Sequence, residues 1–223
     1  METGEPRLLN RGPPAEHTRD GDVTGIVLAG GASRRMGRDK AFLELGGRPL
    51  IGVVIERLSR VCAEVLVVAG DLPAYTGLGV PVVADLFHGV GALGGIHAGL
   101  HAAAHDLTLI VGCDMPFLNT GLLRAFADWA GRADVAVLRR EDGRQVEPLH
   151  AAYRRTCLPA VEDAIRAGRR RIVSFFPHVR VRYVMPEEAA RFDPGLHSFR
   201  NVNTPEEWEA ARLEWERETL DRR

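Results

Sequence analysis

Apolar residues recur along the chain in two rhythms. Near-continuous apolar runs rich in β-branched residues stand at 23–28, 65–68, 80–83 and 107–111, each soon followed by glycine or aspartate. Runs of this length and texture read as strands buried on both faces. Between them the apolar positions take helical spacing. Leu50, Val53, Val54, Arg57 and Leu58 make one stripe, and Leu122, Leu123, Phe126 and Trp129 after Asn119 make another. The second half predicts strands at 135–138, 149–153 and 179–184, and a helix over 158–167. A last helix starts at Pro205, with Trp208, Ala211 and Trp215 on one face. Strands alternating with helices predict an α/β fold, a mostly parallel central sheet flanked by helices. Residues 1–22, rich in proline, glycine and charge without periodicity, read as a flexible leader, and residues 23–223 as a single domain whose C-terminal half is lightly built.

Composition narrows the partners. The 223 residues are 45% apolar and 26% charged, which suits a folded globular chain. A net charge of −1 gives no general attraction to phosphate backbones or anionic lipid, so neither nucleic acid nor membrane is expected as a partner. Cys62, Cys113 and Cys157 are widely spaced and odd in number, which argues against a disulfide framework and for a reducing, cytoplasmic setting. The start lacks the apolar core of a signal peptide. The stretch 86–105 is free of Asp, Glu, Lys and Arg, but its five glycines and four histidines suit a loop and helix rather than a membrane span.

Candidate chemistry sits where the runs end. After the first strand comes Leu28-Ala29-Gly30-Gly31-Ala32-Ser33-Arg34-Arg35-Met36-Gly37-Arg38-Asp39-Lys40. Glycines let backbone N–H groups converge on an anion, and Lys or Arg neutralises it, so phosphate is the expected guest. The spacing matches neither G-x-x-x-x-G-K-[ST] nor G-x-G-x-x-G. The competing reading is a surface turn with solvated arginines. Asp114, in Gly112-Cys113-Asp114-Met115-Pro116, stops another strand at the carboxyl rim, where open α/β sheets bind ligands. One aspartate facing a triphosphate suffices for Mg²⁺, whose shell phosphate and water complete. A plain turn-capping role is the alternative. Asp85 ends a third run ahead of the glycine-rich 89–95, placed to accept from a base or ribose, or simply to serve as a loop acid.

Other features read as structural. His97, His101 and His105 fall four apart on one helical stripe but lack the Glu of H-E-x-x-H, so a packed helix is preferred to a zinc site. The basic run 166–171 reads as a solvated helix end, with an anionic second substrate as the alternative. No nucleophile elbow is present.

Four ordered motifs resemble the molybdenum cofactor guanylyltransferase family: Leu28-Ala29-Gly30-Gly31-x-Ser33-x-Arg35-Met36-Gly37-x-Asp39-Lys40, Cys113-Asp114-Met115-Pro116, Glu147-Pro148-Leu149-x-Ala151-x-Tyr153, and Asn201-Val202-Asn203-Thr204-Pro205-Glu206. The resemblance spans about Val23 to Trp208. It implies a Rossmann-like nucleotidyltransferase fold that joins GMP from GTP to the terminal phosphate of molybdopterin and releases pyrophosphate. It further implies that Leu28, Ala29, Gly30, Gly31 and Ser33 contact the nucleotide, Lys40 binds its phosphates with Arg35 in support, Asp85 touches guanosine, Asp114 binds Mg²⁺, and Asn201 with Asn203 faces the pterin. Transient contact with molybdoenzymes or other cofactor-synthesis proteins also follows from it. Two positions depart from the family pattern: Gly91-Ala92 replaces a glycine-proline turn, and Ala69-Gly70-Asp71 replaces an asparagine after the second strand. Related cytidylyltransferases tend to carry Ala-Ala-Gly where this chain has Ala29-Gly30-Gly31, and the missing side chain leaves space for a purine. Rival readings are a cytidylyl- or sugar-phosphate nucleotidyltransferase, a non-catalytic nucleotide- or cofactor-binding module, and a zinc protein built on the histidine stripe.

Overall fold

The computed structural model describes residues 22–29, 40–70, 72–87 and 89–221. In chain order the strands and helices are β1 (Val23–Leu28), a small hairpin of β2 (Glu44–Leu45) and β3 (Arg48–Pro49), α1 (Leu50–Ser59), β4 (Glu64–Ala69), β5 (Val82–Ala84), α2 (Ala92–Ala102) and β6 (Leu107–Gly112). They continue with α3 (Thr120–Ala130), β7 (Val135–Arg139), β8 (Val146–Arg154), α4 (Leu158–Arg166), β9 (Val181–Val184), α5 (Pro186–Ala189) and α6 (Pro205–Asp221).

One seven-stranded sheet of order β5-β4-β1-β6-β8-β7-β9 runs through both halves of the chain. The pairs β1–β4, β1–β6, β4–β5 and β7–β9 are parallel; β8 alone runs against its neighbours β6 and β7. The sheet is therefore mostly parallel, as the alternating pattern predicts. The chain builds outward from β1 through β4 and β5, then returns with β6 on the other side of β1. That reversal is the switch point outside which such sheets bind ligands, and it falls where Leu28 and Gly112 end their strands.

Alternation along the strands divides the core. Val27, Val67, Leu109 and Val111 face Ile51, Val54 and Leu58 of α1 and Phe126 of α3. Ile26, Leu66, Val68 and Ile110 face Ile96 and Leu100 of α2 and Val161 of α4. Strands β1, β4 and β6 bury both faces, which is why the sequence shows continuous apolar runs there rather than period two. The α3 helix begins where the sequence suggests, with the Asn119 side chain accepting from Leu122 N–H at 3.0 Å.

A third cluster lies under α6, where Leu45, Leu50, Phe117, Val202 and Ala211 pack with Trp208 and Trp215. This confirms the predicted apolar face of the last helix. The β2–β3 hairpin is not legible as periodicity, because two-residue strands carry none. Its turn residues Gly46 and Gly47 have φ of +59° and +76°. A Cβ on Gly46 would come within 2.4 Å of Trp215 Nε1, so only glycine lets α6 close onto the hairpin. Farther along the last segment, Glu214 pairs with Arg200 and with His197 Nδ1, the latter at 2.6 Å. No helix among the described residues is long and apolar enough to cross a membrane.

Candidate active site

The rim at the switch point is assembled by main-chain bonds. Ala29 N–H donates to Val68 C=O at 2.8 Å, and Cys113 N–H donates to Leu28 C=O at 3.1 Å, which knits the ends of β4, β1 and β6. Asp114 follows at once. Its backbone carbonyl accepts from Val202 N–H at 2.9 Å, so the closing motif is tied to the end of β6. Its carboxylate folds back over Gly112, where a Cβ would stand 2.6 Å from Oδ1. Burial pushes the Asp114 pKa upward; its own backbone N–H and the Lys40 ammonium pull it down, and the Glu207 carboxylate pushes it up again.

Lys40 opens a 3₁₀ turn, Lys40–Phe42, anchored by fully buried Ala41. Its Nζ donates to Asn203 Oδ1 at 3.0 Å. Asn203 is itself held: its N–H donates to Glu207 Oε2 at 2.6 Å and Thr204 N–H to the same oxygen at 3.1 Å. Glu207 N–H donates in turn to Thr204 Oγ1 at 3.2 Å. This is a capping box at the start of α6. Glu207 belongs to the site although the sequence reading passed over it; the spacing Thr204-x-x-Glu207 was the available signal.

Lys40, Asp114 and Asn203 thus come together from three distant segments. Asn201 is exposed two residues from Asn203. Leu28 ends β1 and Ala29 follows it, next to the end of β6. Gly30, Gly31, Ser33 and Arg35 lie outside the described residues. Asp85 follows β5, and its Oδ1 accepts from Phe87 N–H at 2.9 Å. A Cβ on Gly94 would stand 2.7 Å from Asp85 Oδ1, so the carboxylate rests on the first turn of α2, where helix amides favour negative charge.

The histidine stripe is corrected by the structure. The α2 helix ends at Ala102, and His105 lies beyond it, with Nδ1 3.0 Å from Thr24 Oγ1. His97 is buried, with Nε2 3.2 Å from Glu162 Oε1 and Phe87 edge-on to its ring. His101 stacks beside it at 6.2 Å. In the basic run, Arg166 pairs with Glu162 and Asp163, and Arg169 donates to Ser174 C=O. Cys62 and Cys157 are buried, and burial pushes the Cys157 thiol up to about 12.

Among the described residues no three His, Cys, Asp or Glu side chains cluster to hold a metal by themselves. A hard divalent cation nevertheless fits Asp114: a desolvated carboxylate is its preferred donor, and a single such ligand leaves the shell open to phosphate oxygens and water.

A lysine and a carboxylate meeting beyond the carboxyl ends of parallel strands, at the switch point, mark an α/β protein with its ligand site at the rim. Residues 25–181 match the family described as MobA-like NTP transferase domain. The chain belongs to that family, and is a nucleotidyltransferase. It is 42% identical over 191 residues to a probable molybdenum cofactor guanylyltransferase of Pelotomaculum thermopropionicum, covering 86% of this chain and 92% of that one. It is 40% identical to the molybdenum cofactor guanylyltransferase of Desulfosudis oleivorans, covering 85% and 94%. The crystal structure of molybdopterin-guanine dinucleotide biosynthesis protein A from Archaeoglobus fulgidus superposes with a TM-score of 0.75 at 30% identity, covering 87% of this chain and 99% of that one. A cytidylyltransferase of Thermus thermophilus, 23% identical with a TM-score of 0.61, shares the fold.

Proposed function

We propose that this protein transfers GMP from GTP to the terminal phosphate of molybdopterin, giving the guanine dinucleotide cofactor and pyrophosphate. The observation that carries the reading is the meeting of Lys40, Asp114 and Asn203 at one point of the rim. Relatives of at least 40% identity bear the name of this activity.

An oxygen of the acceptor phosphate attacks the α-phosphorus of GTP; the bond from that phosphorus to the bridging oxygen breaks, and pyrophosphate leaves. The nucleophile is already anionic, so the protein's part is positioning and charge neutralisation. Lys40, oriented by Asn203, meets the phosphates. Leu28 and Ala29 line the nucleotide from the end of β1, and Asp85 accepts from guanosine. Gly30, Gly31, Ser33 and Arg35 enter this proposal on their sequence pattern alone. Asp114 is the residue to hold Mg²⁺, which when bound neutralises phosphate oxygens and the charge of the departing pyrophosphate. Asn201 and Asn203 flank the acceptor. The reading puts the work in the cytoplasm, where nucleoside triphosphates and free thiols coexist.

The test is pyrophosphate release from GTP, CTP and UTP, with and without molybdopterin and Mg²⁺. Release from GTP that needs both additions supports the reading. Faster release from CTP or UTP replaces the base assignment, and GTP binding without release leaves a binding module.

A further inference from the structure

The rim continues past Asp114 onto strands that the transfer chemistry leaves unused. Alternate residues of a strand share a face, so a Cβ on Gly112 would point the way Ile110 does, into the layer under α2 and α4. The Asp114 carboxylate comes within 2.6 Å of that position, at the very end of the strand. Two strands along, β7 sends Val135 and Val137 into the same layer. Arg139 follows on that face, as its stacking on Tyr183 of the same layer shows.

Ile110 and Val137 both pair with Ala151 of β8, one from each side. Past Val137 the β7–β8 register shifts and Arg139 pairs with Val146, so Gly112 and Arg139 share the rim as ends of two parallel strands, about two strand spacings apart. Between them β8 presents half-buried Val146, which pairs with Arg139 and packs in the same layer as Ala151.

Among the described residues Arg139 has no counter-ion. Its guanidinium carbon lies 4.1 Å from the Tyr183 ring centroid. Its Nε is shut off from solvent and has no acceptor. Among the described residues no ion pair reaches it, whereas its neighbour Arg140 is held by Glu147. A buried N–H left unpaired is unfavourable until some group supplies the acceptor.

We propose that Arg139, steadied by Tyr183, binds the end of the acceptor substrate remote from its phosphate, across the strip of rim beside Val146. The inference rests on the guanylyltransferase reading. Molybdopterin carries a phosphate at one end and a pterin with an anionic dithiolene at the other. Its phosphate must reach the nucleotide beside Asp114, which leaves the pterin end to extend along the rim. A planar guanidinium with one face covered by an aromatic ring offers its N–H edge to ring carbonyl, ring nitrogen or thiolate acceptors.

The experiment measures pyrophosphate release by the wild-type protein, Arg139→Ala, Arg139→Lys and Tyr183→Leu, varying molybdopterin at saturating GTP and the reverse, with GTP affinity from a direct titration. Arg139→Ala is expected to raise the molybdopterin KM about tenfold or more while the GTP KM and Kd stay within about twofold. Arg139→Lys recovers part of the loss, because an ammonium lacks the planar fork, and Tyr183→Leu gives a smaller rise. Should Arg139→Ala fail to fold by circular dichroism, Arg139→Gln is read in its place. An unchanged molybdopterin KM, or a GTP KM that rises in parallel, overturns the inference while the enzyme reading stands. A wild-type protein that releases no pyrophosphate with molybdopterin overturns both.

Discussion

Lys40 Nζ donates to Asn203 Oδ1 at 3.0 Å, across 163 residues of chain. The first motif and the closing motif therefore meet at one point of the rim. Lys40→Ala is expected to lower kcat/KM for GTP by about 100-fold or more, the usual scale for losing a group aimed at developing charge. Asn203→Ala should lower it by about tenfold, the scale of one hydrogen bond to a charged partner. The double variant should be no worse than Lys40→Ala alone, since the asparagine acts through the lysine. Additive losses in this cycle would mean that the two side chains act independently.

Asp114 carries a penalty in the free protein, because burial raises its pKa. A raised carboxyl pKa means that the folded chain holds the proton more tightly than the unfolded one, so stability falls as pH rises from 3.8 through the folded value. Asp114→Asn removes this penalty. Its urea midpoint should lie above wild type at pH 7, and the gain should shrink towards pH 3. Turnover in Mg²⁺ should fall by about 1,000-fold. An Asp114→Asn protein with normal Mg²⁺-dependent turnover would remove this residue from the metal assignment.

Two glycines carry the shape of the site. Gly112→Ala would set a Cβ 2.6 Å from Asp114 Oδ1 and turn the carboxylate away, and Gly94→Ala would do the same to Asp85 from 2.7 Å. Each change should cost about 1–3 kcal/mol of stability, as overpacking does. Gly112→Ala should lower kcat, and Gly94→Ala should raise the GTP KM. Steady-state kinetics beside thermal melts separates these effects.

His150 gives the fold an acid-sensitive point behind the rim. It is fully buried between Phe126 and Phe199 with both ring nitrogens unpaired, and burial lowers its pKa from 6.5 to about 4. The unfolded chain takes up a proton below 6.5 and the folded one only near 4, so stability is complete above 6.5 and declines as pH falls through this window. The loss between pH 7.5 and pH 5 should be about 2 kcal/mol from this residue. His150→Leu should abolish that part of the pH dependence, as urea melts at the two pH values would show.

Strands β1, β4 and β6 were legible because each is covered on both faces, which leaves runs such as 107–111 with no polar residue but Thr108. Helices α1 and α3 were legible from one-sided stripes that now face the sheet. Strand β8 was placed but read too short. Its first residues, Val146 to Leu149, are half-buried at the rim and include Glu147 and Pro148, so they lack the texture of its core half. The histidine stripe misled because spacing alone does not reveal that α2 stops at Ala102, where Ala103 turns to an extended backbone with ψ of 137°. Lys40 and Asp114 were visible as residues that end or follow strands. That Asn203 touches Lys40, and that Glu207 braces Asn203, depends on how α6 returns across the hairpin, a tertiary fact that no local pattern carries.

The amides and side chains of 202–203 hold both the end of β6 and Lys40, and they leave the ribosome after every other part of the rim. A prematurely released polypeptide would contain the lysine and the aspartate without the clasp that orients either. Translation must pass residues 202–203 before GTP can meet a surface whose lysine and aspartate are both fixed.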